Sequence, residues 1–448
     1  MANRRPRPLR LTAGVFAVAA MALLAVAIAA CQDEPLFVSA PPAGDPEWVY
    51  KAPYEGEFRA EDLEIVALVQ LTESGSPAHL VDASFKGELT VSPYPAFDPT
   101  VGDFQTTCGL WIIGAEAGSV RKVSDGLLGY PWGALFSPDG ERMAYAATNE
   151  CLSTLDHDTN ADIRLLHLDS EERTTLYEGE RAPILRGWAA PDAILAMRNV
   201  PDLGWTYRTI GVKPLSEMVS DLVIEYEGFK LFTDRPSPRG NWVLLVVEQP
   251  ATASSWNAEF SLVSLITTEP IGEPWEAWYT PDTAGLWSPD NRLLLYLVAG
   301  KIRDGLPVDV MTLDPETGEH TPILTGLDTQ TDAFLPQTWS PKSEAVLLLA
   351  DDGTSLHAVN ADGSGYGEVA GSVLGGALPT YRNVRWPAGG GYLFFERHGP
   401  KPERGVMVTS VESEIWAAVV HLPGESGGAL EERVRQLESG PWPVSLGQ

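Results

Sequence analysis

Apolar residues along this chain come in short runs, and no long stripe of 3.6-residue period appears. ERMAYAA (141–147), NWVLLVVE (241–248), RLLLYLV (292–298) and EAVLLLA (344–350) are each bounded by Gly, Pro, Asp or Asn. Runs of that length between turn formers predict strands, and 36 prolines leave little room for helices. A corner element precedes the runs: an aromatic or polar residue, Ser or Ala, Pro, then a turn residue. It is Phe136-Ser137-Pro138-Asp139-Gly140, Trp287-Ser288-Pro289-Asp290-Asn291 and Trp339-Ser340-Pro341-Lys342-Ser343. Looser copies are Trp188-Ala189-Ala190-Pro191-Asp192, Pro236-Ser237-Pro238-Arg239-Gly240 and Trp386-Pro387-Ala388-Gly389.

The prolines at 138, 191, 238, 289, 341 and 387 lie 53, 47, 51, 52 and 46 residues apart. Proline fixes φ and Asp-Gly or Asp-Asn closes a tight turn, so the chain reverses before each buried strand. A second strand follows at a similar offset (DIRLLHLD, AEFSLVSL, DVMTLD, SLHAVNADG), then shorter ones such as RTTLYEG and HTPILTG. Four strands per repeat is the make-up of a propeller blade. The expectation is an all-β fold, a β-propeller over residues 48–425, followed by a C-terminal tail, 426–448. Six corners mark six blades, and Gly109–Ile113 with VRKVSDG ends an earlier one. Residues 60–92 complete that blade or close the ring beside EIWAAVVHL (414–422). Seven four-stranded blades are expected, with six and eight left open.

The corner closely resembles the repeats of TolB-type β-propellers, WSPDG followed by an apolar strand. The resemblance covers roughly residues 109–420 and is strong in three copies. Ala190 stands in place of the corner Ser, and two copies lack Asp-Gly. The resemblance implies the fold; it carries function only weakly.

The N-terminus changes the setting. Arg4, Arg5, Arg7 and Arg10 precede an uncharged stretch from Leu11 to Ala30, the pattern of an export signal. It ends in Ile28-Ala29-Ala30-Cys31, which resembles the lipobox of bacterial lipoproteins. That resemblance implies cleavage of residues 1–30 and a diacylglycerol on Cys31. The chain would then be lipid-anchored to the cell membrane on its extracytoplasmic face, and two or three acyl chains hold stably. An uncleaved transmembrane helix is the alternative, since about 20 residues span a bilayer. Pro, Ala and acidic residues make 31–47 a tether.

Charge narrows the partners. The chain carries 31 Lys and Arg against 61 Asp and Glu, a net charge of −30. Removing residues 1–30 takes four arginines, leaving 27 minus 61, or −34. Such a surface repels phosphate backbones, so nucleic acid is excluded as a partner. Of three cysteines, Cys108 and Cys151 remain once Cys31 is lipidated. An even pair in an oxidising compartment predicts a disulfide, with two separate buried thiols as the alternative.

Candidate chemistry is sparse. The corner aromatics are expected to pack between neighbouring blades, and the corner Ser and Asp to tie the turn. Asp156, Asp158, Asn160 and Asp162 place oxygen donors at alternate positions, as calcium loops do. Ala161 stands where such a loop has Gly and His167 where it has Glu, so a solvated hairpin is the other reading. Seven histidines show no zinc spacing, and there is no Gly-x-Ser-x-Gly elbow or Walker loop. Trp205, Trp256, Trp275 and Trp278 lie outside the corners. They would form a sugar- or peptide-binding platform, or pack under long loops.

These residues point to a non-catalytic binding or scaffold module for a protein, peptide or glycan, acting as a monomer, needing no cofactor and with Ca2+ optional. A lyase-like propeller enzyme on carbohydrate and a Tol–Pal-type envelope component are the alternatives.

Overall fold

In a computed structural model the chain divides into two units, Met1–Ala40 and Pro41–Gln448. The described residues all belong to the second. They are Tyr54, 57–74, 78–84, 86–93, 96–98, 103–105, 109–115, 118–125, 133–147, 162–178, 184–190, 193–200, 204–212, 220–222, 231–233, 236–238, 240–247, 257–264, 270–278, 285–299, 308–327, 335–350, 355–369, 380–387, 389–398 and 413–446. Cys31, Cys108, Cys151, Asp156, Asp158, Asn160 and Trp256 lie outside them.

The strands form antiparallel four-stranded meanders. Sheet 1 runs 78–83, 88–93, 110–114, 119–124; sheet 2 runs 134–136, 142–147, 162–167, 173–177; sheet 3 runs 184–190, 193–200, 204–211, 220–222. Sheets 4 (231–233, 242–247, 257–264, 270–278) and 5 (286–287, 294–299, 308–314, 319–327) join at the single Trp278–Leu297 pairing into one eight-stranded sheet. Sheet 6 runs 335–339, 345–350, 355–360, 367–368. Sheet 7 takes 380–385, 392–398 and 413–420 from the end of the chain and 65–70 from its beginning. First strands stand beside first strands: 78–83 touches 134–136 and 380–385, 134–136 touches 184–190, and 335–339 touches 286–287 and 380–385. Four-stranded meanders with their first strands gathered along one axis are the blades of a β-propeller.

The apolar runs are continuous because both faces of each sheet are buried. In sheet 2, Leu135, Ala144, Ala146, Ile163 and Leu165 pack against sheet 3. The alternate residues Ala134, Phe136, Met143, Tyr145 and Leu166 pack against sheet 1. Successive side chains point to opposite faces, so a strand covered on both sides has no polar register.

The corners are one repeated turn. Backbone N–H bonds run from Gly140 to the Ser137 carbonyl (2.8 Å), Gly240 to Ser237 (2.7 Å), Asn291 to Ser288 (2.9 Å), Ser343 to Ser340 (2.9 Å) and Gly390 to Pro387 (2.9 Å). The donor residue is left-handed in every case, with φ of 66°, 67°, 68°, 63° and 76°. Gly and Asn tolerate that region, which accounts for Asp-Gly and Asp-Asn in the motif. The serine hydroxyl caps the turn: Ser288 Oγ accepts from the Arg292 (3.2 Å) and Leu293 (2.8 Å) amides and donates to Asp290 Oδ1 (2.7 Å). A further corner stands at Ser84, where Gly87 N donates to the Ser84 carbonyl (3.1 Å) and Ser84 Oγ accepts from Glu88 N (3.0 Å). Phe85 occupies the proline position there, so the repeat is not visible as a proline.

Residues 426–446, within the segment set apart as a tail by the sequence, pack on the propeller. Gly427–Glu438 forms the helix α1, with Ser426 Oγ accepting from Ala429 N at 3.3 Å. Leu430, Val434 and Leu437, spaced along one helical face, join the core between sheets 7 and 1. Val444 then bonds the backbone of Leu71 (2.9 Å) and Glu73 (3.0 Å) beside the closing strand. Among the described residues no helix is long and apolar enough to cross a membrane.

Candidate functional site

The axis of a propeller is lined by its first strands, whose inner edges have no partner strand. Backbone groups there must find other acceptors and donors. Side chains of neighbouring sheets supply them. Asp82 Oδ2 accepts from Phe136 N at 2.9 Å, Gln337 Oε1 from Val384 N at 3.2 Å, and Glu396 Oε1 from Leu80 N at 2.8 Å.

The first strands are bulged, and Gln337 reaches across from one such bulge. Register shifts fall between Leu80 and Asp82, Leu185 and Gly187, Pro336 and Thr338, and Arg382 and Arg385. Val81, Arg186, Gln337 and Val384 therefore sit at equivalent places, each just ahead of its corner. A bulge re-aims a side chain without ending the ladder. In sheet 7 it puts Asn383 at φ 51°, and the side-chain amide then donates to the Leu80 carbonyl and, at 2.9 Å, to Glu396 Oε1.

Glu396 is 1% exposed, and the same oxygen lies 2.6 Å from Nδ1 of the buried His79. One buried carboxylate oxygen thus faces a backbone amide, an asparagine amide and an imidazole, which offset the cost of burying it. The group pins the first strand of sheet 1 to sheet 7 and fixes the imidazole. In the sequence His79 is one of seven histidines without zinc spacing, and nothing there singles out Asp82, Gln337, Asn383 or Glu396. The available signal was a polar residue in the strand ahead of a corner, as at Gln337.

Of the residues proposed from sequence, Asp162 opens the strand 162–167 and is bonded to Arg164 Nη2 at 2.9 Å. The rest of the calcium candidate, and both cysteines, lie outside the described residues. Trp205 and Trp278 lie in strands 204–211 and 270–278, where only their backbone is described. Trp275 is half-buried between sheets 4 and 5, with ring centroids 5.9 Å from Phe260, 5.6 Å from Tyr296 and 5.3 Å from His320. Burial pushes the Tyr296 hydroxyl up to about 12 and holds His320 below the usual imidazole range, and the two meet at 2.6 Å. Trp275 thus meets three rings at the junction of sheets 4 and 5. Among the described residues no three His, Cys, Asp or Glu side chains converge to hold a metal ion.

The corner aromatics do pack between blades. Trp188 Nε1 donates to the Leu135 carbonyl at 3.5 Å and Trp339 Nε1 to the Leu286 carbonyl at 2.9 Å, each one sheet back. Trp386 departs from this. Its Nε1 donates to Gly390 within its own corner (3.0 Å), and Phe58 stands edge-on to its ring at 5.3 Å.

No protein-family model and no curated protein matches the chain. Solved structures do. An oligogalacturonate lyase in complex with manganese aligns with TM-score 0.51 and 12% identity, over 80% of this chain and 96% of that one. An oligogalacturonate lyase from Vibrio parahaemolyticus aligns with TM-score 0.50 and 12% identity, over 82% and 92%. A TolB structure from Agrobacterium tumefaciens aligns with TM-score 0.36 and 15% identity, over 58% and 90%, too distant to add an argument. At these identities the likeness is one of fold: the chain is built as a β-propeller.

Proposed function

We propose that the chain is a seven-bladed extracytoplasmic propeller, lipid-anchored at Cys31, that binds a protein, peptide or glycan and does not transform it. The observation that carries the reading is how the polar side chains at the inner strands are used. Asp82, Gln337, Asn383 and Glu396 are each bonded to the backbone of a neighbouring sheet. Groups committed in this way hold the ring rigid, and a rigid ring displaying loops is a scaffold for recognition. The basic and apolar N-terminus ending at Cys31 supplies the address. Calcium in the Asp156–Asp162 loop would be an addition the reading does not need.

The alternative is a propeller enzyme acting on acidic carbohydrate, supported only by the fold shared with the two oligogalacturonate lyases. One pair of measurements separates them. Crosslinking on intact cells, followed by mass spectrometry, should recover a specific partner. Incubation of the purified protein with oligogalacturonate, with and without manganese, should yield no unsaturated product. Turnover in the second assay would replace binding by lyase chemistry.

A further inference from the structure

The ring is closed by strand 65–70, which pairs with 413–420 from Ile65–Val420 to Gln70–Trp416. The pairing runs on past the end of that strand. Leu71 N donates to the Ile415 carbonyl at 2.8 Å, and Thr72 Oγ1 accepts from Ile415 N at 2.9 Å. A second segment holds the same residues. Val444 N donates to the Leu71 carbonyl (2.9 Å) and Glu73 N to the Val444 carbonyl (3.0 Å), a parallel bridge between Thr72 and Val444. Residues 71–73 are thus gripped by two pieces of the C-terminal chain, and Leu71 and Thr72 are fully buried.

The second segment has few holds on the sheets. Radially set blades diverge toward their outer strands and leave a wedge between them. Leu430, Val434 and Leu437 of α1 share one apolar cluster with Val69 and Val120, which lie in the outermost strands of sheets 7 and 1. Gly118, at the turn into the last strand of sheet 1, lies against Pro441. Among the described residues, the backbone bonds from 427–446 to the rest of the propeller are the two at Val444. Arg433 Nη2 adds a bond to the Val420 carbonyl and one to Glu425 Oε2, both at 2.6 Å. Trp442 Nε1 donates to the Leu437 carbonyl at 2.8 Å and ties the helix to the segment after it. A twelve-residue helix is marginal by itself. A side chain at Gly427 or Gly428 would meet nothing within 4 Å, so the start of α1 is held by no packing there. The helix therefore depends on the wedge it fills, and it docks together with 441–446.

We propose that residues 427–446 are a releasable latch on the ring. Docked, they hold the closing strand in the seam between sheets 7 and 1. Released, they take with them the Val444 bridge and the Arg433 bond to Val420, and the seam keeps only the ladder between 65–70 and 413–420. Sheets 2 to 6 lose nothing, so the seam loosens while they stay closed. Opening of this kind is local, and it draws on the least stable cooperative unit of a structure. The latch thereby sets how firmly the propeller is closed, independently of what its loops bind.

Hydrogen–deuterium exchange of the full chain, read by mass spectrometry, tests this. Two variants weaken the latch by different means. L437A empties a fully buried contact of α1, and R433Q removes the bond to Val420 without emptying the core. Both should speed exchange at 65–73 about tenfold or more, while strands 142–147 and 345–350 keep their wild-type rates. Unchanged exchange at 65–73 in both variants overturns the latch. An equal rise at 142–147 and 345–350 overturns its release as a separate unit and makes the segment part of the global core. If L437A does not fold, R433Q decides alone.

Discussion

The indole of Trp339 donates to the carbonyl of Leu286 at 2.9 Å, although 53 residues separate them. Trp188 and Leu135 stand in the same relation across the same 53 residues. The repeat length is therefore also a contact: each of these corners bonds the first strand of the sheet before it. Replacing Trp339 by Phe keeps an aromatic ring and orphans a buried carbonyl, which should cost about 1–3 kcal/mol. W339A should cost about 3–5 kcal/mol through the added cavity. Urea denaturation reports both, and a W339F midpoint equal to wild type would remove the hydrogen bond from this account.

The corner carboxylates tie stability to pH. Burial alone would raise the Asp139 carboxyl, but donors from Ser137, the Glu141 amide and Arg142 together hold it below the usual carboxylate range. A carboxyl lowered in the folded state contributes stability that is present above its unfolded pKa of about 3.9 and lost as pH falls through the folded value. D139N should therefore be less stable than wild type at pH 7, and the gap should close as the pH falls below about 4. The gap should be modest, because the carboxylate is partly exposed and salt screens it. Urea midpoints at neutral and acid pH decide the matter; a gap of constant size contradicts it.

How much of this was legible depended on whether the chemistry was local. The corners were, since Ser-Pro-Asp-Gly forms its own turn and the proline spacing displays it. Ser84 was not, because Phe85 replaces the proline while the hydrogen bonds persist. The helix Gly427–Glu438 opens with two glycines and is only three turns long, so its Leu430, Val434 and Leu437 stripe was missed. Least legible was the axis. Glu396 meets Leu80 across 316 residues, and Ala60 meets Asn360 across 300. Nothing in either segment announces its partner; only closing the ring with the N-terminal strand brings them together.

Trp275 offers a test of packing against recognition. Its ring sits among Phe260, Tyr296 and His320 at the junction of sheets 4 and 5. Truncation to alanine should cost about 2–4 kcal/mol, below a fully buried tryptophan because one side reaches solvent. Thermal melting should show this directly. A W275A protein with an unchanged Tm and lost ligand retention would decide for the binding platform over packing.

Reduction should weaken the junction of sheets 1 and 2. Cys108 directly precedes Gly109 and the strand 110–114, and Cys151 follows the strand 142–147 in the next sheet. Both connections leave the same end of neighbouring sheets that share one core. A bridge across 43 residues of sequence would remove loop entropy worth about 4 kcal/mol from the unfolded chain. Protein from an oxidising compartment, denatured and alkylated without reductant, should carry no label on either cysteine and should melt lower once reduced. A C108S/C151S variant should melt with the reduced form. Two alkylated thiols in the unreduced protein would show instead that each is a separate thiol, and the stability of this junction would then rest on its apolar core alone.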